Sequence, residues 1–167
     1  MRQHNSNRLI KNGAVAMLIG MAGGFGMIFA MIGGISLSPF PVFFGLEIPG
    51  SIQGWRMVHT GMLMNGMMAI LLGLLLRFYA VSNLGAVVLG WGTIAAVWGN
   101  FCFYLFGMFA PNHGITVHAN RLGDVNVPAL LAFFPAFVGI FTLVAALIVV
   151  LRATPMDASS GRIGSTT

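Results

Sequence analysis

Charged side chains are scarce in this chain of 167 residues. Asp, Glu, Lys and Arg together make up 7% of the sequence, and only 3 residues are acidic. An ordinary soluble domain carries about 25% charged residues. The chain therefore has too few polar groups to cover a water-soluble globule, which excludes a soluble enzyme or binding module.

Cysteine is nearly absent as well. Cys102 is the only one, so the chain can form neither an internal disulfide nor a cluster of thiolate ligands. Cys102 lies inside an apolar run, where we interpret it as a small packed side chain. A disulfide-stabilised scaffold and a thiolate metal centre are both excluded.

Apolar residues dominate what is present. They make up 57% of the sequence, and the mean hydropathy is +0.91. The hydrocarbon core of a bilayer is about 30 Å thick and takes roughly 20 helical residues. Uncharged apolar runs of about this length cover residues 14–35, 57–76, 84–110 and 127–151. We therefore predict an all-α integral membrane protein, with residues 1–152 forming a single four-helix bundle.

The two ends of the chain are polar. The N-terminus is basic, and the apolar run behind it is too long for a signal peptide and has no clear cleavage site of small residues. We therefore interpret that run as the first span. Residues 153–167 are polar and rich in small residues, which predicts a disordered cytoplasmic tail.

The distribution of basic residues explains the net charge of +5. Four spans place the two termini and the connection between the second and third spans on one side of the membrane. The basic residues on that side are Arg2, Arg8, Lys11, Arg77, Arg152 and Arg162. Only Arg56 and Arg121 fall on the other side, so the positive-inside rule puts both termini in the cytoplasm. We expect a multi-pass protein of the bacterial cytoplasmic membrane, surrounded by lipid, with no nucleic-acid partner.

Two polar side chains in the second span are candidates for a functional site. An ionisable side chain at membrane depth costs about 2.5 to 3.5 kcal/mol, so His59 and Asn65 are unlikely accidents of composition. Side chains advance by about 100° per helical residue, so Gly66 shares the face of His59. Asn65 points about 120° away and lies roughly 9 Å deeper. If both residues serve one site, this helix must lie between two neighbours, and an oligomer with sites at subunit interfaces would satisfy that requirement.

The third span adds a second polar pair. Asn100 and Tyr104 are spaced i, i+4, so they lie on one face of the helix in aromatic surroundings. Antiparallel spans would put His59 and Tyr104 at one depth, and Asn65 and Asn100 at another. The aromatic residues expected to form the walls of this polar pocket are Trp98, Phe103 and Phe106.

Helix packing alone is the alternative interpretation of these residues. A lone histidine within the membrane can bond to a neighbouring carbonyl, asparagine pairs can join helices, and a tyrosine near a span end can belong to the interfacial belt. The combination of the four polar residues favours a functional site more strongly than any one of them does.

Several short segments carry a resemblance to a known family. They are Pro49-Gly50, Gly54-Trp55, His59, Asn65-Gly66-Met67-Met68, Asn100 to Phe106, and Pro111-Asn112. Together they resemble membrane-bound styrene oxide isomerase, and the length and the number of spans agree, so the resemblance covers nearly the whole chain. It implies a homotrimer that binds haem b between subunits and converts aryl epoxides to aldehydes.

The resemblance also implies roles for individual residues. His59 matches the axial ligand of the haem iron, and Asn65 and Tyr104 match polar residues on the substrate side. The family carries an aspartate two turns before the tyrosine, where this chain has Ala95-Ala96, which leaves Asn100 as the nearest alternative polar group. The catalytic candidates are thus Tyr104, Asn65 and Asn100, and the cofactor-binding candidates are His59, Arg56 and Gly66.

The implied reaction is a Meinwald rearrangement of a small hydrophobic epoxide. Ferric haem held by His59 would act as a Lewis acid on the epoxide oxygen, while Tyr104 and Asn65 orient that oxygen. Opening of the benzylic C–O bond and a 1,2-hydride shift would give an aryl acetaldehyde. The pocket must be dry, because water would trap the cation as a diol.

Two other classes of protein remain open from the residues alone. An electron-transfer cytochrome b would normally need a second axial ligand, and no other histidine lies inside a predicted span. A non-catalytic membrane subunit or small transporter would use the same polar residues only to pack its helices.

Overall fold

A computed structural model of the chain describes residues 2–156. The helices are α1 (Arg2–Ile32), α2 (Ile52–Phe78), α3 (Asn83–Gly107) and α4 (Val127–Leu151), and the short strands are β1 (Ile35–Ser36), β2 (Phe43–Phe44), β3 (Tyr79–Ala80) and β4 (Thr154–Pro155). Each helix is long and apolar enough to cross a membrane. The all-α class and the four spans are therefore confirmed, and the chain is a multi-pass membrane protein.

Two helices begin before the apolar runs that predicted them. α1 begins at Arg2 rather than near residue 14, and α2 begins at Ile52 rather than at residue 57. The Ser51 side chain caps α2 by accepting a hydrogen bond from the Gly54 N–H, 3.0 Å away. Hydropathy detects the length that lies in hydrocarbon, whereas a helix continues wherever its backbone and side chains find partners.

The helices pack as two pairs joined through α3. α1 packs along α2, α3 packs along α4, and α3 also contacts both α1 and α2. Among the described residues, α4 makes extensive contact with no helix except α3. The largest fully buried core side chains come from the first three helices and are Leu9, Met62, Leu76, Leu89, Val58 and Val97.

Small residues let α1 and α2 approach closely. A Cβ on Gly13 would lie 2.6 Å from the Gly66 carbonyl oxygen, and a Cβ on Gly20 would lie 3.0 Å from the Leu63 backbone nitrogen. Such contacts leave no room for a larger side chain, and they supply the van der Waals packing that joins helices in lipid. The glycine face of α1 therefore packs on α2 of the same chain.

One end of the molecule gathers the basic residues. β3 and β4 pair antiparallel, and the Met156 N–H donates to the Phe78 carbonyl oxygen over 3.0 Å. Arg2 donates from its guanidinium to the Tyr79 carbonyl oxygen, 3.5 Å away. Residues 153–156 thus differ from the disordered tail that composition predicted, because their backbone pairs with the connection after α2. The rest of that predicted tail, including Arg162, lies outside the described residues.

Candidate active site

Three predicted polar residues form one hydrogen-bonded chain between α2 and α3. Asn100 donates from Nδ2 to Oδ1 of Asn65 over 3.2 Å, and Asn65 donates from Nδ2 to the Tyr104 hydroxyl over 3.4 Å. Asn65 is 7% exposed, and both the nitrogen and the oxygen of its amide are hydrogen-bonded within the bundle. The Tyr104 oxygen accepts one of these bonds, which leaves the hydroxyl proton to be donated elsewhere.

The antiparallel register of α2 and α3 creates this chain. Gly61 lies beneath the Tyr104 ring, and a Cβ there would come within 2.6 Å of the ring carbon Cζ. Asn65, one turn later on α2, then lies opposite Asn100, as the depth argument predicted. The depth argument placed Tyr104 level with His59. In the structure, the Tyr104 hydroxyl instead lies within hydrogen-bonding distance of Asn65. Helical side chains lean toward the N-terminus of their helix, which carries the phenol toward Asn100.

His59 lies on the other side of α2, against α1. Its Nδ1 is 2.8 Å from the Gly20 carbonyl oxygen. A carbonyl only accepts, so Nδ1 is the donor, and in the neutral form of the ring the lone pair is on Nε2. A Cβ on Gly24 would lie 2.8 Å from Nδ1 and 3.0 Å from Cε1, so the absence of a side chain there makes room for the ring.

The divergence of His59 and Asn65 follows from their positions on α2. His59 bonds to α1, whereas Asn65 bonds to α3. α2 thus lies between two neighbours, as the helical geometry predicted, and within one chain both neighbours are its own helices. The structure joins Asn65, Asn100 and Tyr104, and it leaves His59 outside that cluster.

The two remaining cofactor candidates lie at different places on α2. Arg56 is exposed, one turn before His59, and its carbonyl oxygen accepts a hydrogen bond from Thr60 Oγ1 over 2.9 Å. Gly66 is buried against α1, where a Cβ would lie 2.5 Å from Cγ of Met17. Gly66 therefore has a packing role within the chain, and its assignment to the cofactor stays a prediction.

The Ala95-Ala96 segment lies close to α4. Ala96 is buried, and a Cβ on Gly139 of α4 would lie 3.1 Å from the Ala96 Cα. Asn100, one turn further along α3, is the polar residue that joins Asn65 instead.

A cavity of about 320 Å³ lies beside Tyr104, between the start of α2, the end of α3 and the loop that follows α3. Its lining residues are Ser51, Gln53, Gly54, Met57, Phe103, Tyr104, Gly107, Met108, His113 and Ile115. Of the three predicted wall residues, Phe103 lines this cavity. Trp98 lies deeper in the bundle and donates from Nε1 to Oδ1 of Asn12 over 3.0 Å.

Sequence reasoning missed several of these features. The Gly20 carbonyl and the space at Gly24 both surround His59. In the sequence, the only indication of them is that two glycines of the first span are spaced i, i+4. Met57 and Met108 were missed as cavity walls because methionine is frequent throughout the chain. Within residues 2–156, no three His, Cys, Asp or Glu side chains lie close enough to hold a metal ion by themselves.

Comparisons with known proteins identify the family of this chain. The family model described as styrene oxide isomerase matches residues 5–155. A styrene-oxide isomerase from Pseudomonas fluorescens is 32% identical over 114 residues, which cover 68% of this chain and 67% of that protein. The region matched by the family model begins within α1, contains all of α2, α3 and α4, and includes Asn65, Asn100 and Tyr104. The chain therefore belongs to the styrene oxide isomerase family and is, at the level of that family, an epoxide isomerase.

Proposed function

We propose that this protein converts aryl epoxides of the styrene oxide type to aryl acetaldehydes, with haem b held by His59. One observation carries the proposal. Asn65 donates to the Tyr104 oxygen, so the Tyr104 hydroxyl keeps its proton to donate, and Tyr104 lines a cavity with mostly apolar walls. An epoxide oxygen is a neutral acceptor that such a donor can bind.

The surroundings of His59 fit a haem group. The Gly20 carbonyl accepts from Nδ1, which fixes the tautomer, orients the ring and leaves Nε2 as the ligand atom. His59 is only half-buried, so Nε2 can meet a group bound outside the α1–α2 pair. When bound, ferric haem would supply a Lewis acid for the epoxide oxygen. Arg56, exposed one turn earlier, would offer its guanidinium to an acidic substituent of that group.

Tyr104 stabilises the oxygen as the ring opens. Negative charge grows on that oxygen while the benzylic C–O bond breaks, so a hydrogen bond from Tyr104 strengthens on the way to the transition state. Asn65 fixes the direction of the phenol proton by occupying the phenol oxygen, and Asn100 fixes the Asn65 amide. The three residues therefore act as one oriented donor.

The remaining step needs no further reagent. A hydride moves from the terminal carbon to the benzylic carbon, the oxygen forms a carbonyl with the terminal carbon, and the product has the same atoms as the substrate. The chain must only keep water from the cation. Met57 and Phe103, which line the cavity beside Tyr104, provide apolar walls for this purpose.

The active assembly is proposed to be a homotrimer in the bacterial cytoplasmic membrane, with both termini in the cytoplasm. His59 and Asn65 point toward different sides of α2, and Asn65 is bonded to Tyr104. One chain therefore does not bring the proposed haem ligand His59 together with the proposed donor Tyr104. A neighbouring copy would complete each site across the subunit interface. The basic residues Arg2, Arg77 and Arg152, which lie at one end of the bundle, support this orientation.

A spectrum and a product assay test the proposal together. The protein purified in detergent should show a Soret band and should convert added styrene oxide to phenylacetaldehyde. His59→Ala should lose the band and the activity, while the matched control His118→Ala, in an exposed loop, should keep both. Purified parent protein without a Soret band would count against haem, and a six-coordinate bis-histidine spectrum without turnover would favour electron transfer.

A further inference from the structure

We propose that the cavity between the start of α2 and the end of α3 binds the aryl ring of the substrate, and that Met57 sets the size of ring it accepts. This inference rests on the proposed function, since it places the ring next to the Tyr104 hydroxyl. It assigns a role in substrate specificity to residues outside the hydrogen-bonded group of Asn65, Asn100 and Tyr104.

The lining of the cavity combines polar and apolar groups. Its exposed polar side chains are Ser51, Gln53 and His113, and its exposed apolar side chains are Met57 and Ile115, whereas Gly107 is buried and Tyr104 is half-buried. A ligand in the cavity therefore lies against apolar and aromatic surfaces, one of which belongs to Tyr104. These surroundings suit a molecule with a hydrocarbon ring and one oxygen.

The frame of the cavity is fixed by hydrogen bonds. Trp55 donates from Nε1 to the Pro49 carbonyl oxygen over 3.0 Å, which holds the loop before α2. On the opposite side, Asn112 donates from Nδ2 to the Thr116 carbonyl oxygen over 2.9 Å and accepts from the Gly114 N–H over 3.0 Å. The shape is thus present before a ligand binds, which reduces the ordering cost of binding.

The size and chemistry of the walls favour a single aromatic ring. The volume of about 320 Å³ lies at the small end of the roughly 300 to 1,000 Å³ found for ligand pockets. Met57 and Met108 offer thioether sulfurs, which make favourable contacts with the edges of aromatic rings. Phe103 already packs edge-on against Tyr104, with ring centroids 6.1 Å apart.

The two methionines differ in what else they support. Met108 packs against Gly50 and Gly54, where no Cβ could be added beside it without a clash. Its replacement would disturb the contact between α3 and the start of α2. Met57 is 42% exposed, so its side chain can be shortened with little effect on the fold. Met57 is therefore the residue through which ring size can be tested.

The first test compares Met57→Ala with Met64→Ala, the same change at an exposed position of α2 that does not line the cavity. The ratio of kcat/KM for 4-tert-butylstyrene oxide to that for styrene oxide should rise about tenfold or more in Met57→Ala, since one methylene in a pocket is worth roughly 10- to 200-fold. Met64→Ala should leave the ratio unchanged. Equal ratios in both variants, with normal turnover of styrene oxide, overturn the inference and leave the proposed function intact.

The second test does not depend on activity. Met57→Cys and Ile52→Cys are each made in a Cys102→Ala background, and their labelling by a water-soluble maleimide is followed with and without styrene, an unreactive molecule with the same ring. Styrene should slow labelling at position 57 and not at position 52, which is exposed near the same end of α2 and does not line the cavity. Equal rates with and without styrene at position 57 overturn the inference, even if the parent protein proves inactive toward epoxides.

Discussion

The chemistry of single side chains here depends on which atom is already occupied. The Gly20 carbonyl accepts a hydrogen bond from His59 Nδ1 and leaves Nε2 unoccupied, whereas Asn65 donates to the Tyr104 oxygen and leaves the phenol proton unoccupied. The first arrangement leaves a nitrogen acceptor and the second leaves a hydroxyl donor. Residue identity alone does not show which atom is left unoccupied, because histidine and tyrosine can each donate or accept a hydrogen bond.

Tyr104→Phe tests the donor. The change keeps the ring on Gly61 and removes only the hydroxyl, so it should lower turnover of styrene oxide roughly a hundredfold to a thousandfold, equivalent to about 2.7 to 4 kcal/mol. The haem spectrum should be unchanged, because the proposed ligand lies on the other side of α2. Turnover at the parent rate with haem retained would reduce Tyr104 to a packing residue.

Gly24→Ala tests how His59 is held. The added Cβ would lie 2.8 Å from Nδ1, so the imidazole must move and its bond to the Gly20 carbonyl should weaken. Loss of such an outer partner typically costs about 10- to 100-fold in metal affinity, which a haem titration followed at the Soret band would measure. The control is Gly45→Ala, since a Cβ at Gly45 meets nothing within 4 Å. A parental haem affinity in Gly24→Ala would exclude this role of the glycine.

Among the helices, α1 departs most from its predicted length. Its polar first turns are helical because their side chains are satisfied by other elements. Asn5 donates to the Ala86 carbonyl oxygen on α3 over 3.1 Å, and Ser6 donates to the Gly73 carbonyl oxygen on α2 over 2.7 Å. Arg77 donates from Nε to the Ser6 hydroxyl over 3.0 Å. The basic end of the bundle is thus tied together by buried polar contacts.

Ser6→Ala should therefore destabilise the whole bundle. It removes a fully buried hydroxyl that makes two hydrogen bonds to α2, and hydrogen bonds between membrane helices are worth about 1 to 2 kcal/mol. A lower unfolding temperature in detergent, followed by circular dichroism, is expected. The control is Thr60→Ala, whose exposed hydroxyl bonds only within its own helix. Equal unfolding temperatures for the two variants would show that the α1 extension adds no stability.

For the molecule as a whole, the position of α2 decides what one chain can do. α2 carries His59 on its α1 side and Asn65 on its α3 side. Only Asn65 is hydrogen-bonded to Asn100 and Tyr104. Among the described helices, α4 packs extensively only on α3 and leaves most of its apolar surface exposed. The bundle is therefore open on several faces, as expected for a chain surrounded by lipid.

Subunit complementation tests the shared site. Asn65→Ala retains the ligand, and His59→Ala retains the donor cluster, so each variant alone should be inactive. Co-expressed and purified as a mixed oligomer, they should recover roughly a quarter of the parental turnover if each site in a closed ring takes one residue from each of two neighbours. No recovery in an oligomer shown to contain both variants would place ligand and donor within one subunit.

The sequence by itself determined the membrane class, the four spans and the identity of the polar residues. Each of these depends on local composition, because a polar group in hydrocarbon is unfavourable whichever helix packs beside it. It also determined that His59 and Asn65 diverge, since helical periodicity fixes directions on a single helix.

Only the tertiary structure decided which groups meet. The α2–α3 register brought Asn65 to Asn100 and Tyr104, the glycines of α1 brought the Gly20 carbonyl to His59, and Gly139 let α4 approach Ala96 closely. These pairings depend on the depth and rotation of one helix against another. The choice is made by close contacts between residues far apart in the sequence, and hydropathy and periodicity along a single span do not specify those contacts.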